Sequence, residues 1–125
     1  MEIFSLSGSP KTPTIEFNPT NGQFLIGGKS IPENAVEFYK PVNEWLDAFA
    51  QTNHPPIQVD LKLEYFNTSS SKCLLDVFKR LENLNQRNKV TLNWYYDEED
   101  EDMLEVGEDY QAILKLPINL IPFKS

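Results

Sequence analysis

Apolar and polar residues alternate strictly from Ile57 to Tyr65: Ile57, Val59, Leu61, Leu63 and Tyr65 are separated by Gln58, Asp60, Lys62 and Glu64. A period of two buries one face of a strand, so Ile57–Phe66 is predicted as a half-buried β-strand with Tyr65 inward and Phe66 opposite and exposed. Downstream, Leu74, Val77, Phe78, Leu81 and Leu84 recur at helical spacing and predict a helix from about Ser69 to Arg87. Val90, Leu92, Trp94 and Tyr96 then alternate with Thr91, Asn93 and Tyr95, a second strand. Nearer the N-terminus, Ile15-Glu16-Phe17 and Phe24-Leu25-Ile26 flank Asn21-Gly22, a turn signal that predicts a β-hairpin. Asn34 followed by Glu37 resembles a capping box and opens a helix whose apolar face is Ala35, Phe38, Tyr39, Val42, Trp45, Leu46 and Phe49. Pro41 lies inside that face, where a kink is expected, and Asn53-His54-Pro55-Pro56 ends the helix.

After Tyr96 a short helix is expected with Met103, Val106 and Tyr110 inward and Gly107 weakening it, then a last strand containing Leu116, Ile118 and Leu120. The order reads β-β-α-β-α-β-α-β, one α/β domain over residues 14–125 preceded by a flexible arm over 1–13, which has no periodicity. Two strands joined by a helix imply a parallel pair with a right-handed crossover. Buried parallel strands normally read as continuous apolar runs, whereas these alternate. The expected architecture is therefore a two-layer mixed sheet with its helices on one face. The other face, with Asp60, Lys62, Glu64, Thr91, Asn93 and Tyr95, is left wet or open to a partner.

At 125 residues and 40% hydrophobic, the chain has enough apolar surface for one core. The net charge of −8 is concentrated: nine acids lie between Asp97 and Asp109 with no Lys or Arg among them, leaving ten acids against eleven bases elsewhere. Such a surface argues against nucleic acid, whose phosphates need clustered cations. One cysteine excludes an internal disulfide framework. No apolar run approaches a membrane span and no signal-like start is present, so a soluble cytoplasmic protein without membrane contact is expected.

Between the first alternating strand and the helix after it stands Asn67-Thr68-Ser69-Ser70-Ser71. The ordinary reading is a helix N-cap, in which one side-chain oxygen satisfies orphan N–H groups for about 1 kcal/mol. One cap needs one residue, however, and five capable residues stand in a row. The excess fits an anion-binding turn or a phosphoacceptor at a helix start, where backbone N–H groups and the helix dipole favour negative charge. A phosphate on Thr68 would add about −1.5 to −2 charges, with Lys72 one turn on to screen it. The fold should tolerate that charge, while a protein docked over the turn would have to desolvate it.

Leu63-Glu64-Tyr65-Phe66-Asn67-Thr68-Ser69-Ser70-Ser71-Lys72 resembles the signature of the SiaC family of bacterial regulatory phosphoproteins. The similarity extends to Pro32-Glu33-Asn34, to Trp45 and to Leu92-Asn93-Trp94-Tyr95-Tyr96-Asp97, and departs at Ser71 and in the heavier acidic run. The resemblance implies a fold like that of anti-sigma factor antagonists (STAS-like). It also implies phosphorylation of Thr68 by a cognate protein kinase and dephosphorylation by a PP2C-type phosphatase. The unphosphorylated form is then expected to bind and activate a diguanylate cyclase, in cyclic-di-GMP and biofilm signalling. Asn67 and Ser69 would shape the turn, Ser70 would cap or dock, and Phe66 and Lys72 would lie at the partner contact.

No glycine-rich phosphate loop, metal-ligand spacing or nucleophile–base pair appears, so no cofactor, metal or catalytic residue is expected. The acidic run reads as a solvated helix start or as a dock for a basic partner. His54 reads as a surface loop residue, and Cys73 as a small inward-facing hydrophobe. Two other functions stay open: an anti-sigma factor antagonist, and a small enzyme or ligand-binding protein using Asp60, Lys62 and Asn93.

Overall fold

The computed structural model describes all of residues 1–125. Six strands form one sheet: β1 (Phe4–Leu6), β2 (Thr14–Phe17), β3 (Gln23–Ser30), β4 (Ile57–Phe66), β5 (Val90–Asp97) and β6 (Ile118–Phe123). Three helices connect the later strands: α1 (Ala35–Phe49), α2 (Thr68–Asn85) and α3 (Glu101–Ile113). The strands lie in chain order, β1 and β2 antiparallel to their successors and β3 through β6 mutually parallel. Strands added always in one direction through crossovers of one hand must place every crossover helix on the same face. The core accordingly fills the space between that face and the helices. Ile57, Val59, Leu61 and Leu63 of β4 and Val90, Leu92 and Trp94 of β5 meet Val42, Leu46, Leu74, Phe78, Leu81 and Tyr110 there.

The expected hairpin is β2–β3, with Ile15 opposite Ile26 and Phe17 opposite Phe24. Its loop is held by Asn18, whose Oδ1 accepts from the Thr20 and Asn21 amides. Gly22 closes it at φ +73° and presses against the Pro56 carbonyl, where a Cβ would collide. Asn34 caps α1 by accepting from the Glu37 amide, and the helix runs unbroken across Pro41.

The expected loose arm over 1–13 is corrected in its first half. Phe4–Leu6 adds β1 to the sheet edge, because Phe4 packs on Phe17 and Trp45 and the Trp45 indole N–H donates to the Glu2 carbonyl at 3.2 Å. An edge strand of three residues carries too little periodicity to be read from sequence. His54 is likewise not a surface residue: it is 7% exposed, its ring nitrogens lying 2.7 Å from the Pro55 carbonyl and 3.0 Å from that of Leu84. Those contacts tie the α1–β4 loop to the end of α2.

Gly107 does more than weaken α3. A Cβ there would come within 2.6 Å of the Trp94 ring and 2.8 Å of Leu120, so glycine lets the helix lie directly on β5 and β6. The Trp94 indole N–H donates to the Met103 carbonyl at 3.0 Å, fixing the same contact from the other side. No helix is long and apolar enough to cross a membrane.

Candidate functional site

β4 does not keep its alternation to the end. Gly28 pairs with Leu63 but Lys29 pairs with Tyr65, so Glu64 is an extra residue, a β-bulge next to Gly28 at φ +96°. One inserted residue exchanges the two faces beyond it. Tyr65 is consequently 56% exposed, while Phe66 turns toward the core with its ring edge-on to Trp94 at 6.2 Å. The expected orientations of these two aromatics are thus reversed. The bulge also aims the last residue of β4 into a hollow beside the hydroxyl run.

Asn67 is the N-cap of α2: its Oδ1 accepts from the Ser70 amide at 2.9 Å and its carbonyl from the Ser71 amide at 3.0 Å. The Thr68 and Ser69 amides belong to the first turn and have no acceptor within the helix. Thr68 is the first residue of α2, and it and Ser69 are exposed, as is Lys72 one turn later. Ser71 is half-buried, its hydroxyl donating to the Thr68 carbonyl at 2.7 Å. Ser70 neither caps nor docks. It is fully buried and hydrogen-bonded to Ser30, because the third residue of this helix faces inward between β3 and α1.

Thr68 sits on the rim of a hollow of about 340 Å³ lined by Phe66, Asn67, Ser71, Val106, Asp109, Tyr110 and Ile113. A second hollow of about 220 Å³ continues it past Phe66 and Val106 to Tyr65, Glu64, Asp100, Asp102 and Met103. Together they form a groove between the start of α2 and α3, with an apolar floor and an acidic wall. Tyr110 ties the walls together, its hydroxyl donating to the Ser71 carbonyl at 3.1 Å. Burial pushes that phenol up to about 12, so it stays a neutral donor. The contributions of Val106, Asp109 and Ile113 were not legible beforehand, since only tertiary packing brings α3 alongside the turn.

The acidic run starts α3 as expected. Asp100 caps the helix by accepting from the Met103 amide, and Glu101 and Asp102 occupy its first turn. Asp97, Glu99, Asp100, Glu101 and Asp102 line an open hollow, yet no three of them converge as metal ligands would. Cys73 is buried, and desolvation together with nearby Asp76 raises its thiol pKa. On the polar sheet face, Asn93 donates to Asp60 and Asn119 donates to Asn93, each at 3.0 Å, while the Lys62 ammonium lies 4.9 Å from the Tyr95 ring centre. The polar groups of that face are thus bonded largely to one another.

A family model described as SiaC family regulatory phosphoprotein matches residues 6–123. The chain is 32% identical over 118 residues to an uncharacterized protein of Pseudomonas aeruginosa (strain UCBPP-PA14), covering 94% of each. It is similar to the crystal structure of apo-SiaC from Pseudomonas aeruginosa at TM-score 0.88 and 30% identity, over 97% of this chain and 99% of that one. It matches equally a crystal structure of the diguanylate cyclase SiaD in complex with its activator SiaC, from the same organism, at TM-score 0.88 and 30% identity over 96% and 99%.

Proposed function

The chain belongs to the SiaC family of regulatory phosphoproteins, and on that footing we propose that it is a phosphorylation-switched activator of a diguanylate cyclase, itself without catalytic work. Thr68 is the acceptor. A cognate kinase forms the Oγ1–phosphorus bond as the bond from the ATP γ-phosphorus to ADP breaks, and the hydroxyl proton passes to the kinase's base. A PP2C-type phosphatase reverses the change by hydrolysis. The unphosphorylated protein lays its groove on the cyclase; in Pseudomonas aeruginosa, SiaC is the activator in a complex with the diguanylate cyclase SiaD.

The observation that carries this reading is the position of Thr68: exposed, first in an 18-residue helix, and on the rim of a partly apolar groove. A phosphate there accepts from the free amides of the first turn and is screened by Lys72, so the fold keeps its shape. Across the groove stands Asp109, and the acidic wall supplies no cation to neutralise a dianion. A partner that closes over the groove must therefore desolvate a dianion that faces Asp109, at several kcal/mol. Association is switched while folding is left alone.

The test uses the purified full chain with the diguanylate cyclase of its own cell. Wild type and Thr68→Ala should bind and stimulate the cyclase, and Thr68→Glu and the phosphorylated protein should not. Incubation with Mg-ATP in a lysate of that cell should add one phosphate to wild type and none to Thr68→Ala. Equal binding by phosphorylated and unphosphorylated protein would overturn the reading. So would a pull-down that yields an anti-sigma factor in place of a cyclase.

A further inference from the structure

Four consecutive hydroxyls, Thr68 to Ser71, begin α2, and a device behind them separates their fates. Ser30, the last residue of β3, is fully buried and touches the turn twice. Its carbonyl accepts from the Asn67 amide at 3.2 Å, and its hydroxyl donates to Ser70 Oγ at 2.8 Å. With the Ser30 proton on Ser70, the Tyr39 phenol 2.7 Å away is the donor to Ser30 Oγ. A chain of three buried hydroxyls, Tyr39–Ser30–Ser70, thereby joins α1, β3 and α2 directly beneath the capping turn.

We infer that Ser30, backed by Tyr39, is a positioning residue that selects the acceptor. It draws Ser70 into the interior and sets the phase of the first turn, so that Thr68 rather than Ser69 or Ser70 meets the groove. The geometry has few alternatives. A helix N-terminus whose cap amide, on Asn67, donates to the Ser30 carbonyl and whose third residue, Ser70, accepts from the Ser30 hydroxyl cannot rotate about its axis or fray without breaking these bonds. Ser71 is held by its own bond to the Thr68 carbonyl. Ser69 stays exposed but does not line the groove, which leaves Thr68 as the hydroxyl that an enzyme seated there reaches.

This inference rests on the reading of Thr68 as phosphoacceptor, and its test separates the two. Wild type, Ser30→Ala and Tyr39→Phe are incubated as full chains with Mg-ATP in a lysate of the native cell, and phosphate is mapped by fragmentation mass spectrometry. Val90→Ala, which opens a cavity in β5 at the end of the sheet away from the turn, serves as a destabilised control. Wild type and the control should carry phosphate on Thr68. In Ser30→Ala the Thr68 share should fall several-fold, with phosphate appearing on Ser70 and Ser71, and Tyr39→Phe should shift in the same direction by less. If Ser30→Ala does not melt cooperatively, Tyr39→Phe, which keeps the ring, decides the matter. Thr68 labelling at wild-type share and rate in the folded variants overturns the positioning role alone. Wild type labelled elsewhere or not at all overturns the acceptor assignment and, with it, this inference.

Discussion

Gly107 of α3 lies flat against the indole of Trp94, so close that an added methyl would sit 2.6 Å from a ring carbon. That contact sets the distance between α3 and β5, and hence the width of the groove that Phe66, Val106 and Tyr110 line. In an exposed helix, exchanging glycine for alanine gains about 1 kcal/mol of helix propensity. Here the sign should reverse, because Trp94 is fully buried and has no room to move. Gly107→Ala should destabilise the protein by about 1–3 kcal/mol, the usual range for overpacking. Urea denaturation measures it, and a net gain in stability would show that α3 is free to shift.

Asn67 holds the start of α2 through one side-chain bond to the Ser70 amide. Asn67→Ala should cost about 1 kcal/mol in chemical denaturation, the ordinary worth of such a cap. Asn67→Asp keeps the acceptor and adds a charge suited to the helix dipole, so its stability should stay within a few tenths of a kcal/mol of wild type. Equal losses in both variants would mean that the amide donors of Asn67 matter more than its oxygen.

Tyr39 and Tyr110 define an alkaline limit. Burial raises Tyr39 to about 12, and burial with the nearby Tyr39 phenol raises Tyr110 to about 12. In the unfolded chain both would ionise near 10. Below pH 10 both states hold these protons and their contribution to stability is complete. As the pH rises from 10 toward 12 the unfolded state releases them first, so stability falls, on the order of 2 kcal/mol per phenol by the upper end. Phenolate absorbance should show two of the five tyrosines ionising only near pH 12 or together with unfolding. Ionisation of both while the fold is intact at pH 10 would contradict their burial.

Local pattern was enough to read β4 from its alternation, α2 from its heptad-like spacing, the hairpin from Asn21-Gly22 and the helix starts from Asn34 and the Asn67 run. Each of these signals acts within a few residues, through side-chain direction or a cap, and needs no knowledge of what lies across the molecule. The outward turn of Tyr65 and inward turn of Phe66, the burial of Ser70 and His54, the addition of β1 and the indispensability of Gly107 were illegible. All of them arise from a bulge against β3 or from packing against segments distant in sequence. Spacing along a chain encodes which way a residue points relative to its neighbours. Which of five adjacent hydroxyl and amide side chains reaches the surface is decided by what the rest of the chain places beneath them.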